Sequence, residues 1–207
     1  MLNIAVFISG GGTNLQAIID AVKENKINGK IKLVFSNRKN AYGLIRAQNE
    51  SIDTFYLNRK NFFSNEEYDE AILEELNKKN IDLIVLAGYL NILSSKFISK
   101  YSNRIINIHP SLIPSFCGDG YYGENVHKAV IKSGVKFTGV TTHFVDENVD
   151  TGAIILQDVV PVFINDDFET VAKRVLEIEH KILVKTVKAF CDNKIVFKEN
   201  RAFIVEE

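Results

Sequence analysis

The chain has 207 residues, of which 46% are hydrophobic and 25% charged, and its formal net charge is −1. Such a chain offers no basic field for nucleic acid or an anionic membrane, so any anionic ligand must be met by local groups. No apolar run approaches the roughly 18 residues of a membrane-spanning helix, and Met1–Asn3 lacks the basic segment of a signal peptide. Two cysteines, Cys117 and Cys191, are too few for a disulfide framework. We therefore expect a cytoplasmic monomer or homodimer with neither a nucleic-acid nor a membrane partner.

Strands and helices alternate through the first half of the chain. Ile4–Ile8 is a continuous apolar run, typical of a strand buried on both faces. Leu15, Ile18, Ile19 and Val22 follow with helical spacing. Further strands are predicted at 31–36, 54–57, 83–87 and 105–109, and helices at 44–50, 64–79 and 95–101. Ser64, with Glu67 three residues on, predicts a capping box at the start of the helix over 64–79. This alternation predicts an α/β fold with a doubly wound, mostly parallel, Rossmann-like sheet.

The second half of the chain has a different pattern. A long loop, 109–123, precedes a helix at 124–133, and loops of this length are often lids or binding elements. Two strands, 138–145 and 153–163, are joined by a short link, which predicts a hairpin and an antiparallel edge. A long helix follows from about Phe168. We expect a single domain over 1–207.

The first strand-to-helix turn reads Ser-Gly-Gly-Gly-Thr-Asn over residues 9–14. Glycines after a buried strand let the backbone approach a ligand, and a helix N-terminus offers free N–H groups to an anion. The turn therefore favours phosphate, although the glycines could serve turn geometry alone. No Gly-Lys-Ser/Thr follows, so the turn is not a Walker A loop. The second strand ends in Ser36-Asn37-Arg38 without the acid that binds a ribose diol, which disfavours a dinucleotide.

A second candidate site lies at the end of the fifth predicted strand. Alternation puts Asn107 and His109 on one face, and Pro110 ends the strand. A lone pair of this kind is more often structural. The catalytic interpretation needs Asp150, otherwise a turn former, to reach the imidazole of His109 and hold it for acid–base work. His143, in the sixth strand, is the second candidate, after His109. The simpler interpretation of His143 is a structural polar residue.

Glu179 lies in the long C-terminal helix beside an apolar stripe that includes Val175, Ile178 and Ile182. A helical glutamate is usually solvated. The alternative is a carboxylate that faces a substrate amine, and the helix alone does not favour it.

Four segments, in order and with matching spacing, resemble the folate-dependent phosphoribosylglycinamide formyltransferases. They are 8–16, 86–93, 107–114 and 143–152. The resemblance covers nearly the whole chain and implies formyl transfer from 10-formyltetrahydrofolate to the amine of glycinamide ribonucleotide (GAR) in purine synthesis, without a metal. It also implies a phosphate-binding half to about residue 100 and a catalytic, folate-binding half over about 101–207. It implies that Asn107, His109 and Asp150 are catalytic, that Gly12, Thr13, Asn14 and Glu179 bind GAR, and that Leu90, Asn91, Ile92, Leu93 and Asn65 belong to the folate site. Asn65 and Asn91 stand where the family often has basic residues.

Three other functions compete with this one. A formyltetrahydrofolate hydrolase would use the same catalytic trio with water as the acceptor, and such relatives usually carry an extra N-terminal domain. A methionyl-tRNA formyltransferase would have an extra C-terminal domain and a basic face for tRNA. A non-catalytic nucleotide-binding module would keep only the glycine turn. Loss of the formyl group from the folate that depends on GAR would distinguish a phosphoribosylglycinamide formyltransferase from all three.

Overall fold

A computed structural model describes residues 1–205 of the chain, and a seven-stranded sheet forms the centre of this part. The strands are β1 (Leu2–Ile8), β2 (Gly29–Ser36), β3 (Thr54–Tyr56), β4 (Leu83–Leu86), β5 (Ile105–His109), β6 (Phe137–Phe144) and β7 (Ile154–Pro161). Their spatial order is β3-β2-β1-β4-β5-β6-β7. The first five are parallel, whereas β6 is antiparallel to both β5 and β7. The predicted mostly parallel sheet with an antiparallel edge is confirmed.

Helices cover both faces of the sheet. They are α1 (Thr13–Lys23), α2 (Tyr42–Asn49), α3 (Asn65–Lys78), α4 (Ser95–Lys100), α5 (Glu124–Ser133) and α6 (Phe168–Cys191). Side chains of α1, α2, α5 and α6 share one hydrophobic core, and those of α3 and α4 share the other. Within β1, Ile4, Val6 and Ile8 face the first core, and Ala5 and Phe7 face the second. The alternation of β1 therefore explains why its run of apolar residues is continuous.

The sheet has a switch point beside β1. The chain moves from β1 to β2 on one side and from β3 back to β4 on the other side of β1. Connections that diverge in this way leave a crevice at the carboxyl ends of the parallel strands, which is where such sheets bind ligands. The glycine turn after β1 opens onto this crevice.

The ends of the elements agree with the local sequence signals in most places. At the start of α3 the Ser64 hydroxyl accepts from the Glu67 N–H at 3.1 Å, and the Glu67 carboxylate accepts from the Phe63 N–H at 2.8 Å. The predicted capping box is thus present, with the glutamate reaching one residue further back than usual. A hairpin of β8 (Ile195–Lys198) and β9 (Arg201–Ile204) was not predicted, and β9 packs beside β7.

None of the helices in the described part is long and apolar enough to cross a membrane. The single-domain assignment over 1–207 stays a prediction, and its last two residues lie outside the described part.

Candidate active site

The crevice at the carboxyl ends of β1, β4 and β5 contains a cavity of about 530 Å³. It is lined by the turn after β1, the loop after β4, the end of β5, the loops 118–123 and 145–150, and one residue of α6. A smaller cavity, of about 300 Å³, lies between the C-terminal ends of α3 and α4 and is lined by neither a carboxylate nor an imidazole. The larger cavity is therefore the candidate active site.

His109 and Asp150 meet at the edge of this cavity. His109 is the last residue of β5 and is 4% exposed. Asp150, in the loop after β6, adopts a φ of 58°, a left-handed conformation that Asp tolerates better than most residues. Its Oδ2 lies 3.6 Å from His109 Nδ1 and accepts from the Gly118 N–H at 3.0 Å. The gap to the imidazole is within ion-pair range but longer than a hydrogen bond.

The other side of the His109 ring is held by the loop after β5. Nε2 lies 2.9 Å from the Phe116 carbonyl oxygen, and since a carbonyl only accepts, Nε2 carries a proton. Phe116 itself has a φ of 52°. The ring is thus fixed between a backbone carbonyl and a carboxylate.

Asn107 is held by a second histidine on the neighbouring strand. In the antiparallel register Asn107 lies opposite His143, and Asn107 Nδ2 is 3.1 Å from His143 Nε2. His143 Nδ1 donates to the Phe144 carbonyl at 2.8 Å, which leaves Nε2 as an acceptor for the Asn107 amide. Burial lowers the pKa of His143, so its ring is neutral at pH 7. One N–H of the Asn107 amide is therefore used to fix the side chain, and the second is left to serve a ligand.

Asp150 also approaches His143. Its Oδ1 is 3.6 Å from His143 Nε2, so one carboxylate lies between the imidazoles of His109 and His143. The three side chains, with Asn107, form one connected polar group at the end of β5. Such a group of titratable side chains in a cleft is typical of an acid–base site.

The glycine turn gives α1 an open N-terminus. Gly12 is the N-cap of α1, with a φ of 71°, and its Cα packs closely against the backbone of Gly43 in α2. A Cβ on Gly12 would lie 2.6 Å from the Gly43 Cα, so only glycine fits there. Arg46 Nε donates to the Gly11 carbonyl at 2.8 Å, which fixes the peptide before Gly12. The N–H groups at the start of α1 have no side-chain cap and can bind an anion.

Asn14 on α1 and Glu179 on α6 bring two polar side chains to the same part of the cavity, Asn14 buried and Glu179 partly buried. Both side chains line the cavity, and Asn14 is 8% exposed. The Asn14 side chain is a polar neighbour of the Glu179 carboxyl, and Asn14 Oδ1 is buried without a hydrogen-bond partner in the described part. Burial raises the pKa of Glu179 to about 7, because the opposing influence of Asn14 offsets only part of the loss of solvent.

The loop after β4 forms the opposite wall of the cavity. Leu90 and Ile92 are 44% and 74% exposed, whereas Leu93 is packed in the core on the side of α3 and α4. Asn91 Oδ1 accepts from Asn37 Nδ2 at 2.7 Å, so its amide is tied to the loop after β2. This wall is therefore apolar, with a polar group that is already hydrogen-bonded.

The comparisons with known proteins agree with each other. A family model described as Formyl transferase matches residues 2–187. The chain is 45% identical over 204 residues to the phosphoribosylglycinamide formyltransferase of Haemophilus influenzae, covering 99% of this chain and 94% of that protein. The chain belongs to the phosphoribosylglycinamide formyltransferases of the formyl transferase family.

Further relatives and solved structures support this membership. The phosphoribosylglycinamide formyltransferase of Escherichia coli is 42% identical over 203 residues, covering 98% of this chain and 93% of that protein. The crystal structure of glycinamide ribonucleotide transformylase 1 from Symbiobacterium toebii superimposes with a TM-score of 0.94 at 39% identity, covering 100% of this chain and 95% of that one. The chain thus has the fold of this formyltransferase family.

Most of the residues that the sequence singled out are brought together in the cavity of this formyltransferase. Those that line it are Asn14, Leu90, Asn91, Ile92, Leu93, Asn107, His109, Asp150 and Glu179. Gly12 and Thr13 lie beside it, at the start of α1, and do not line it. Asn65 lies outside the lining at the start of α3, where its Oδ1 accepts from Arg59 Nε at 2.5 Å. Among residues 1–205, no three His, Cys, Asp or Glu side chains are grouped to hold a metal ion.

The sequence interpretation missed two features of the cavity. His143 was ranked as structural, because its position opposite Asn107 depends on the strand register. His127 was not singled out, although His109, His127 and His143 all line the cavity and the chain has only four histidines. The rarity of histidine in the chain is the one sequence signal that points to His127.

The raised pKa of Glu179 gives a testable effect on stability. Because its pKa is about 7 in the folded protein and 4.5 ordinarily, the folded state binds more protons than the unfolded state between these values, and stability falls as the pH rises. Glu179→Gln removes the titrating carboxyl and therefore this pH-dependent loss of stability. We expect the Tm gain of the variant over the wild type to be small near pH 4.5 and largest above pH 7, with an upper limit of roughly 3 kcal/mol. A Tm difference that does not change with pH would contradict the assignment.

Proposed function

We propose that the chain transfers the formyl group of 10-formyltetrahydrofolate to the amine of GAR, giving formyl-GAR and tetrahydrofolate in purine synthesis. The observation that carries the proposal is that the buried His109–Asp150 pair and the Asn14–Glu179 pair open onto one cavity. An acid–base group and a polar binding group for an acceptor are thus within one site. We further propose a cytoplasmic monomer or homodimer, to which the two free thiols are suited.

The acceptor end of the cavity is suited to a phosphorylated ribose. Gly12, Thr13 and Asn14 offer the start of α1 to the phosphate, and Arg38 is the one lysine or arginine in the lining of the cavity. Glu179 would then contact the glycinamide end of GAR. Its carboxylate, when ionised, accepts hydrogen bonds from N–H or O–H groups.

The opposite wall is suited to the pteridine of the folate. Leu90 and Ile92 present apolar surface, and Asn91 and Leu93 complete that wall. Asn65 is proposed as a contact of the folate tail only, since it lies outside the cavity. Asn65 accepts a hydrogen bond from the guanidinium of Arg59, which brings a positive charge to that place.

The chemistry requires charge stabilisation and two proton movements. The GAR amine attacks the formyl carbon, a new C–N bond forms, and the formyl oxygen becomes an oxyanion. The free N–H of Asn107 and the imidazolium of His109 would stabilise this oxyanion, each donor contributing about 3 kcal/mol. Collapse then breaks the bond to the folate N10, which takes a proton as the amine nitrogen loses one. His109, held by Asp150, would carry the proton directly or through water.

His109 must change one contact to act in this way. Its Nε2 is engaged by the Phe116 carbonyl at 2.9 Å, and its Nδ1 faces Asp150. We propose that substrate takes the place of the Phe116 carbonyl at Nε2 when the loop 110–123 rearranges around the folate. Hydrogen bonds in unliganded sites often differ from those of the reacting complex in this manner.

A folate absorbance assay with and without GAR tests the proposed function. Formation of tetrahydrofolate should require GAR and should match formyl-GAR mole for mole. Formate release without GAR would instead identify a formyltetrahydrofolate hydrolase, and binding of GAR without turnover would identify a binding module.

Asn14→Ala is expected to weaken GAR binding more than folate binding. The variant removes the amide at the start of α1, which is also the polar neighbour of Glu179. Loss of a hydrogen bond to a charged group should raise the KM for GAR by about 10- to 100-fold. Leu90→Ala, on the opposite wall, is the matched control and should raise the KM for the folate instead. Equal effects of Asn14→Ala on both KM values would contradict the phosphate assignment.

A further inference from the structure

His127 is a buried histidine that has no role in the proposed mechanism. It lies in the first turns of α5, is 7% exposed and lines the cavity. Its Nδ1 is buried and has no hydrogen-bond partner in the described part of the chain. A buried polar atom without a partner is unfavourable, and in native proteins it often marks a place that a ligand or water occupies.

The ring of His127 is neutral in this environment. Burial is the main cause that lowers the pKa of His127, and the nearby His109 lowers it further, against a smaller opposing effect of Glu124. A neutral imidazole has one donor and one acceptor nitrogen. It can therefore hydrogen-bond a neutral amide or amine without adding charge beside His109.

The position of α5 indicates which substrate His127 meets. Val130 of α5 belongs to the same core as α1 and α6, and Lys128 Nζ lies 4.8 Å from the centre of the Phe168 ring of α6. His127 thus enters the cavity from the face that carries Asn14 and Glu179. Leu93, on the folate wall, belongs to the core on the other face. A ligand that contacts Asn14 and Glu179 is therefore on the side of His127.

We propose that His127 is a further substrate-contact residue, whose Nδ1 hydrogen-bonds the glycinamide arm of GAR and positions its amine beside His109. The inference rests on the proposed function. The glycinamide arm presents both an amide N–H and a carbonyl, so either form of the neutral ring has a partner. The phosphate and ribose, in contrast, are met at the start of α1.

Three substitutions separate a contact through Nδ1 from packing. Asn places a polar atom one bond from Cγ, where Nδ1 lies, and so His127→Asn should keep most of the contact. His127→Gln moves its amide towards the position of Nε2, and His127→Leu removes all polar atoms. We expect kcat/KM for GAR to fall about 10- to 100-fold in the Leu variant, with a smaller loss in Asn than in Gln. The KM for 10-formyltetrahydrofolate should stay within about twofold in all three.

Thermal unfolding and GAR titration calorimetry complete the test. The Tm of His127→Leu should equal or exceed that of the wild type, because the variant removes an unpartnered polar atom. Unchanged GAR kinetics in the Leu variant, a defect confined to the folate, or a fall in Tm with normal GAR affinity would each overturn the inference while the proposed function stands. If the Leu variant does not fold, a Gln variant as active as Asn would overturn it. Absence of GAR turnover in the wild type would instead refute the proposed function, and the inference with it.

Discussion

His109→Ala is expected to lower kcat for formyl transfer by about a thousandfold or more. The variant removes the group proposed to move the proton and one of the two donors proposed for the oxyanion. Because His109 is at the end of β5 and Asn14 and Glu179 are on α1 and α6, the affinity for GAR should change little. Steady-state kinetics and calorimetry with GAR measure the two quantities separately.

His109→Gln is a useful companion to this variant. A glutamine retains an N–H donor near Nε2, the nitrogen proposed to face the substrate, but cannot carry a proton between the amine and N10. It should therefore be more active than the alanine variant and far less active than the wild type. A kcat near that of the wild type in either variant would remove His109 from the mechanism.

Asp150→Asn is expected to lower kcat by about 10²- to 10³-fold, with the fold intact. Asparagine tolerates the left-handed φ of 58° at this position, and its side-chain oxygen can still accept from the Gly118 N–H. The substitution thus removes mainly the negative charge that lies 3.6 Å from His109 and from His143. Circular dichroism and Tm measurements should show a folded variant, and kcat should carry the loss.

The effect of Asp150→Asn on pH dependence gives a second readout. In the wild type the Asp150 carboxylate partly opposes the lowering of the His143 pKa by burial. Without that charge the pKa of His143 should fall further, and histidine NMR titration can measure it. An unchanged His143 titration together with normal turnover would show that Asp150 is only a turn residue, the alternative that the sequence left open.

Local signals in the sequence were sufficient for most of the fold. The continuous apolar run of β1 and the Ser64 cap of α3 each depend on neighbours a few residues away, and both were predicted. The hairpin of β8 and β9 was missed although Ile195–Lys198 and Arg201–Ile204 flank a two-residue turn at Glu199, whose φ is 56°. Its stability depends on packing beside β7, which no local pattern reveals.

The candidate site was only partly predictable, because its contacts join distant parts of the chain. The placement of Asn107 and His109 at a strand end followed from alternation and Pro110. The approach of Asp150 to His109 depends on the path of a loop, and the pairing of Asn107 with His143 depends on antiparallel register. The Phe116 carbonyl at His109 Nε2 depends on the backbone of a long loop, for which side-chain patterns carry no information.

The fate of a labelled formyl carbon tests the central claim most directly. The enzyme would be mixed with isotopically labelled 10-formyltetrahydrofolate in the presence and absence of GAR, and the label followed by NMR. The label should move to the amine nitrogen of GAR, at a rate that collapses in His109→Ala, and should stay on the folate when GAR is absent. Label appearing as formate at the same rate with or without GAR would contradict the account.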